Sequence, residues 1–302
     1  MTDISVEVAG LKLRSPVILA SGILDETGGS LLRAFNGGAG AVVTKSICME
    51  PREGYKNPTI VELDGGMINA MGLPNPGIEE YASEVKRALK GGAVVIGSAF
   101  GKDVKEYVAV ARRFDDLGAK AVELNLSCPH ATGLGLEIAQ SAEAVEEFTS
   151  AVQREVDVPV MPKLSPNVTN IAFLGEAAER AGAGAIVAVN TVKAMAISPE
   201  LGIPILSNRY GGLSGPAIKP IGLRCVYELY EAVKIPIIGV GGVTTGRDAV
   251  EYFMAGASAV QMGTALRSRG MDAFRLVCRE IEQFMEKESF DSVREMVGLA
   301  HE

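Results

Sequence analysis

Ile235-Pro-Ile-Ile-Gly-Val-Gly-Gly-Val-Thr-Thr-Gly-Arg-Asp-Ala-Val-Glu-Tyr-Phe-Met-Ala-Gly-Ala-Ser-Ala-Val-Gln-Met-Gly-Thr264 holds two short apolar runs, each closed by glycine. Between them, Thr244-Thr245-Gly246-Arg247 reads as a helix start, and the Gly256-Ala257 pair marks where a helix ends and the chain turns into the next strand. The same signs recur upstream. Val17–Ala20, Ala41–Thr44, Val94–Gly97, Ala121–Leu124, Val158–Met161 and Ala185–Ala188 join Ile235–Ile238 and Ala259–Met262 to make eight runs. Gly-Ala pairs also stand at Gly38-Ala39, Gly118-Ala119 and Gly182-Ala183. Helical periodicity fills most intervals, as in Glu79–Leu89, Lys105–Leu117, Ala142–Val156, Ile171–Ala181 and Leu223–Val233. Near-continuous apolar strands must be covered on both faces, so the alternation predicts a parallel sheet. Eight units favour a closed (β/α)8 TIM barrel over an open doubly wound sheet.

The 302 residues fit one barrel with excursions, and 1–302 is read as a single domain. Ser5–Arg14 alternates and turns at Ala9-Gly10, which predicts an N-terminal hairpin capping one end. Two intervals, Cys48–Pro76 and Lys193–Pro216, are too long for simple connections. Both follow the C-terminal end of a strand, the active-site face of such a barrel, and are expected to cap it.

A hydrophobic content of 47% with 22% charged residues is that of a globular chain with a large core. The net charge of −8, with no basic stripe, argues against nucleic acid as a partner. Cys48, Cys128, Cys225 and Cys278 are far apart, with no metal-site or disulfide spacing, so no metal is expected and a reduced, cytoplasmic setting is the default. Met1–Pro16 carries acidic residues where a signal peptide has a basic start, and no run is long enough to span a membrane.

The residues at the strand ends are polar or glycine: Ser21 and Gly22, Lys45 and Ser46, Ser98, Asn125 to Cys128, Lys163, Asn190 and Thr191, Gly241 and Gly242, Gly263 and Thr264. They converge on one mouth. Glycines after the last two strands, beside a helix N-terminus, suit an anionic phosphate; tight turns are the plainer reading. Lys45 and Lys163 have three meanings: Schiff-base nucleophile, ion-pair partner, or fixed cation facing a cofactor.

Cys128 sits in Asn125-Leu-Ser-Cys-Pro-His130 on the ligand face, followed by Gly133-Leu-Gly135. Its thiol could serve as base, nucleophile or redox group, whereas the other three cysteines read as small buried hydrophobes. His130 could assist proton transfer or be a polar loop residue. Asn69 and Asn75, within Asn69-Ala-Met-Gly-Leu-Pro-Asn75, offer amides to a planar imide and carboxylate ligand or simply form turns.

Together these motifs resemble the dihydroorotate dehydrogenase family over nearly the whole chain. Asn125-Leu-Ser-Cys-Pro is similar to its catalytic loop, Asn69–Asn75 to its orotate-binding segment, and Gly211-Gly-Leu-Ser-Gly-Pro-Ala-Ile-Lys-Pro220 to its flexible loop after strand six. The resemblance implies oxidation of dihydroorotate to orotate with FMN, in pyrimidine biosynthesis. It assigns Ser21, Lys45, Ser46, Asn125, Lys163, Val189, Gly215, Gly241, Gly242, Gly263 and Thr264 to FMN. Lys45, Asn69, Ala70, Met71, Gly72, Leu73, Asn125, Asn190 and Thr191 would hold substrate, with Cys128 as base assisted by Ser127 or Lys45.

A cysteine base resembles class 1, since class 2 uses serine, and Gly212-Leu-Ser-Gly-Pro-Ala-Ile-Lys-Pro220 together with Asn75-Pro-Gly77 looks more like class 1B than class 1A. Class 1B implies a homodimer core of a heterotetramer, with a partner subunit carrying FAD and a [2Fe-2S] cluster that passes electrons to NAD. One departure is His130, where family members commonly carry an asparagine that helps bind substrate. Alternatives are an FMN enzyme resembling dihydropyrimidine dehydrogenase and a flavin-free Schiff-base lyase using Lys45 or Lys163.

Overall fold

The computed structural model describes residues 2–126 and 140–302. Eight parallel strands close into a barrel, in chain order around the ring: Val17–Leu19, Ala41–Ile47, Val95–Ala99, Ala121–Asn125, Val160–Leu164, Ile186–Ala188, Ile237–Val240 and Ala259–Met262. Each apolar run of the sequence has become a barrel strand. Their side chains alternate between two cores. Val17, Leu19, Val122 and Leu124 face the surrounding helices, while Ile18, Ala41, Val43, Ala121, Met161 and Ile238 fill the interior.

Several strands reach further at their C-terminal ends than the apolar runs. Lys45, Ser46, Ser98, Asn125 and Lys163, expected just beyond strands, lie within their C-terminal ends. Parallel pairing continues through these polar positions, with Ser46 opposite Ser98 and Asn125 opposite Lys163. The helix expected from Leu223 spans Lys219–Ala232. Pro220 does not stop it, because a proline in the first helical turn lacks only an N–H that has no partner there anyway.

The Gly-Ala pairs are helix C-terminal caps. Gly38, Gly118, Gly182 and Gly256 all have positive φ, between +83° and +114°. That left-handed conformation turns the following alanine amide back onto the carbonyl five residues earlier, as in Ala119 N to Phe114 O at 3.1 Å and Ala257 N to Tyr252 O at 2.9 Å.

The N-terminal residues Val6–Val8 and Leu11–Leu13 form the expected antiparallel hairpin. Its Val8 and Leu13, 1% and 2% exposed, insert among Ile18, Ala41, Ala121 and Ala259 and close the barrel floor. At the opposite end the two long excursions pair with each other. Ile60–Leu63, Gly66–Asn69, Tyr210–Ser214 and Val192–Met195 make one four-stranded antiparallel sheet. Asn69 lies opposite Gly212 in its register, and Ile68, Ala70 and Leu206 form a small core of its own.

Candidate functional site

The mouth is built by inward side chains one layer above the apolar interior. In the second strand, Val43 pairs with Ile96 but Ser46 pairs with Ser98, so one extra residue bulges between them. A bulge re-aims side chains. Here it brings both Lys45 and Ser46 to the rim, while Thr44 Oγ1 fills the gap by accepting from Ser98 N at 2.8 Å.

A chain of hydrogen bonds then crosses the rim. Ser46 Oγ lies 3.3 Å from Ser21 Oγ and 2.9 Å from Ser98 Oγ, and accepts from Asn125 Nδ2 at 3.0 Å. Asn125 Oδ1 accepts from Asn190 Nδ2 at 3.3 Å, and Asn190 Oδ1 from Thr191 N at 2.8 Å. Tyr107 OH donates to Asn125 O at 2.6 Å, fixing the end of that strand from behind. Val189 is anchored by its amide to Val240 O at 3.0 Å.

The two lysines have different surroundings. Lys45, with a side chain 15% exposed, is 3.4 Å from Glu26, which is 76% exposed; such a pairing is weak and leaves the ammonium available to a ligand. Lys163 is buried with Glu123 and Gln261, 3.3 Å from Glu123 Oε1 and 3.1 Å from Gln261 Oε1.

The glycines after the last two strands form a backbone cradle. Gly215, Gly241 and Gly242 have positive φ, at +105°, +129° and +70°. A Cβ on Gly242 would come within 2.8 Å of Gly215 O and 2.9 Å of Lys219 Cβ, so only glycine lets these segments meet. Among the described residues, the amides of Gly241, Gly242, Gly263 and Thr264 donate no hydrogen bond within the chain. Nearby, Asp248 caps the next helix by accepting from Thr244 and Thr245, and pairs with Lys219 at 2.7 Å. Burial pushes its carboxyl up, but the Lys219 and Thr244 hydrogen bonds outweigh it and hold it down at about 2.

The excursion sheet roofs one side of the mouth. Asn69 Nδ2 donates to Gly212 O at 3.4 Å, and Thr191 packs so close that a Cβ on Gly212 would sit 2.0 Å from its Oγ1. Ala70 is buried, Met71 is 37% exposed, and Gly72 and Leu73 both have positive φ. Asn75 belongs to the loop's framework: its side chain accepts from Gly77 N at 3.0 Å and donates to Leu73 O at 3.0 Å.

Ser127, Cys128 and His130 lie outside the described residues. Cys48, Cys225 and Cys278 are buried free thiols whose pKa burial raises, to about 11 for the last two, as expected of inert core cysteines.

Sequence reasoning missed Glu123, Gln261, Asp25 and Asn167 as parts of the site. Asp25 is 1% exposed; burial raises its carboxyl above the ordinary range, although it accepts a hydrogen bond from Gly22 N. Asn167 Nδ2 donates to Thr191 O at 3.1 Å. The signal available for Glu123 and Gln261 was a single polar residue inside an otherwise apolar run, which in a barrel needs an internal partner.

Fold and site together define a (β/α)8-barrel enzyme with a polar rim and a glycine cradle at its C-terminal face. The family model described as dihydroorotate dehydrogenase matches residues 3–285. A Thermoplasma acidophilum relative is 51% identical over 99% of both chains, and a Pyrococcus abyssi relative 52% identical over 98% of this chain and 99% of its own. Both are named dihydroorotate dehydrogenase B (NAD(+)), catalytic subunit. The crystal structure of DHODH from Eimeria tenella in complex with ferulenol superposes with a TM-score of 0.86 over 99% of this chain and 89% of that one. At 24% identity, that likeness speaks to the fold. The chain belongs to the dihydroorotate dehydrogenase family.

Proposed function

We propose that this chain oxidises dihydroorotate to orotate in pyrimidine biosynthesis, as the FMN-bearing catalytic subunit of an NAD-linked, B-type enzyme. The observation that carries this reading is the near-full-length identity, about half of all positions, to relatives of that name. The cradle and rim fit FMN. Gly215, Gly241, Gly242, Gly263 and Thr264 offer close backbone approach and amide donors to its phosphate, next to a helix N-terminus. Ser21, Lys45, Ser46, Asn125, Lys163 and Val189 would surround the ring system. When bound, FMN supplies the acceptor for the hydride that leaves C6 of dihydroorotate.

Cys128 is the base in this proposal. It takes the C5 proton, and the electron pair of that C–H bond forms the C5=C6 double bond as hydride departs from C6. Ser127 and Lys45 assist by hydrogen bonding and charge. Asn69 to Leu73, Asn125, Asn190 and Thr191 orient the planar substrate, and their hydrogen-bonded arrangement holds donors in place before substrate arrives. Lys163 places a fixed positive charge beside the developing negative charge.

The name "catalytic subunit" in the relatives supports a second subunit here; the family resemblance gives that subunit FAD and a [2Fe-2S] cluster. The exposed Ile197, Leu201, Ile203 and Tyr210 of the second excursion supply apolar surface for subunit contacts in a homodimer core. The whole chain, 1–302, acts as one unit in the cytoplasm; among the described residues no helix is long and apolar enough to cross a membrane.

The test is spectral titration of the purified yellow chain with orotate and with uracil, which should show perturbation by orotate alone. Cys128→Ala should keep the flavin and lose about 10²–10⁴-fold of its reduction rate by dihydroorotate. Normal bleaching in that variant would remove Cys128 from its role.

A further inference from the structure

Glu123, Lys163 and Gln261 form a closed ring of hydrogen bonds inside the barrel. Each belongs to a different strand, and they are 0%, 6% and 1% exposed. Lys163 Nζ donates to Glu123 Oε1 at 3.3 Å and to Gln261 Oε1 at 3.1 Å, while Gln261 Nε2 donates to Glu123 Oε2 at 2.6 Å. Every oxygen in the ring accepts. The Gln261 amide accepts from the ammonium through its oxygen and donates to the carboxylate through its nitrogen, which neither a second carboxylate nor a second ammonium could do. Below the ring, Ala121, Met161 and Ala259 on the same three strands are apolar; above it lies the rim with Asn125. Among the described residues, two of the three ammonium hydrogens are spent, and one is left for a ligand at the mouth.

We propose that Glu123 and Gln261 are positioning residues that set how much positive charge Lys163 presents to the flavin, and so set the flavin's reduction equilibrium. This rests on the reading that the mouth binds FMN. Glu123 is the carboxylate in contact with Lys163, and removing it would leave the ammonium uncompensated within the ring. With Glu123 in contact the ring is neutral overall and acts as an oriented dipole, while Gln261, bonded to both the ammonium and the carboxylate, holds the pair in place and aims the ammonium. Reduced flavin carries more negative charge than oxidised flavin, so each unit of charge in the ring shifts the equilibrium in a direction fixed by its sign.

The test is anaerobic reduction of the bound flavin against a reference dye, each variant compared with wild type at the same pH. At pH 6, Glu123→Gln removes the ring's negative charge and should shift the equilibrium about tenfold toward reduced flavin, which is about 30 mV for a two-electron couple. At pH 8.5, Gln261→Glu adds a carboxylate and should shift it about tenfold the other way. Glu123→Asp keeps the charge and should stay within about threefold of wild type. A merely structural ring would lower the melting temperature in these variants without opposite shifts. Should Glu123→Gln fail to fold, the sign of the Gln261→Glu shift decides. A yellow wild type with unshifted variants overturns this inference alone; a wild type that binds no flavin overturns the reading beneath it and this inference too.

Discussion

The floor and the mouth of the barrel are made by the same strands and do opposite work. At the floor, Val8 and Leu13 of the hairpin plug an interior of alanine, valine and isoleucine, and burial of apolar surface is its only chemistry. One layer higher, alternation places Glu123, Lys163 and Gln261 inside, and at the rim Ser46, Asn125 and Asn190 hydrogen-bond to one another. Buried polar groups return little net stability even when satisfied. The difference teaches that the floor carries the fold, whereas the mouth is retained for what it binds.

Substitutions can break that division. Leu13→Ala should have the largest effect, costing about 2–5 kcal/mol through the cavity it leaves, while the folded fraction keeps its flavin; thermal melting with flavin fluorescence would show both. Loss of flavin with unchanged melting would place the floor in the ligand site. Gly242→Ala should do the reverse. Its Cβ would strike Gly215 O and Lys219 Cβ, at a φ of +70° that alanine rarely adopts. We expect at least tenfold weaker flavin retention, about 1.4 kcal/mol, with the barrel still folded by circular dichroism.

Asp25→Asn sharpens the comparison with the smallest effect. The folded state raises the Asp25 pKa by burial, so the ionised carboxylate costs stability as pH rises through that raised value, and nothing when both states are protonated. The variant should melt on the order of 2 °C higher than wild type at pH 8, with the gap closing by about pH 3. A gap that widens on acidification would contradict the assignment.

The floor was the more legible half. Strands buried on both faces are written as near-continuous apolar runs, so all eight could be located from Val17 to Met262 without any partner being known. Both excursions were visible as excess length. Their pairing was not, because Asn69 and Gly212 are 143 residues apart and their strands are too short for alternation to declare a partner. The rim residues could be named individually, but the bulge that delivers both Lys45 and Ser46 depends on register, which no single strand encodes. Glu123 and Gln261 were passed over as strand residues because their roles appear only when three strands meet. The role of Cys128 came from family resemblance, since a thiol at the end of a strand is compatible with several chemistries.

The central claim, that this mouth oxidises dihydroorotate, is tested most directly by mixing the purified chain with dihydroorotate in the absence of oxygen and following visible absorbance. The account predicts a yellow protein whose flavin absorbance falls as an equimolar amount of orotate appears. A colourless chain, or a yellow one whose spectrum dihydroorotate leaves unchanged, would contradict it.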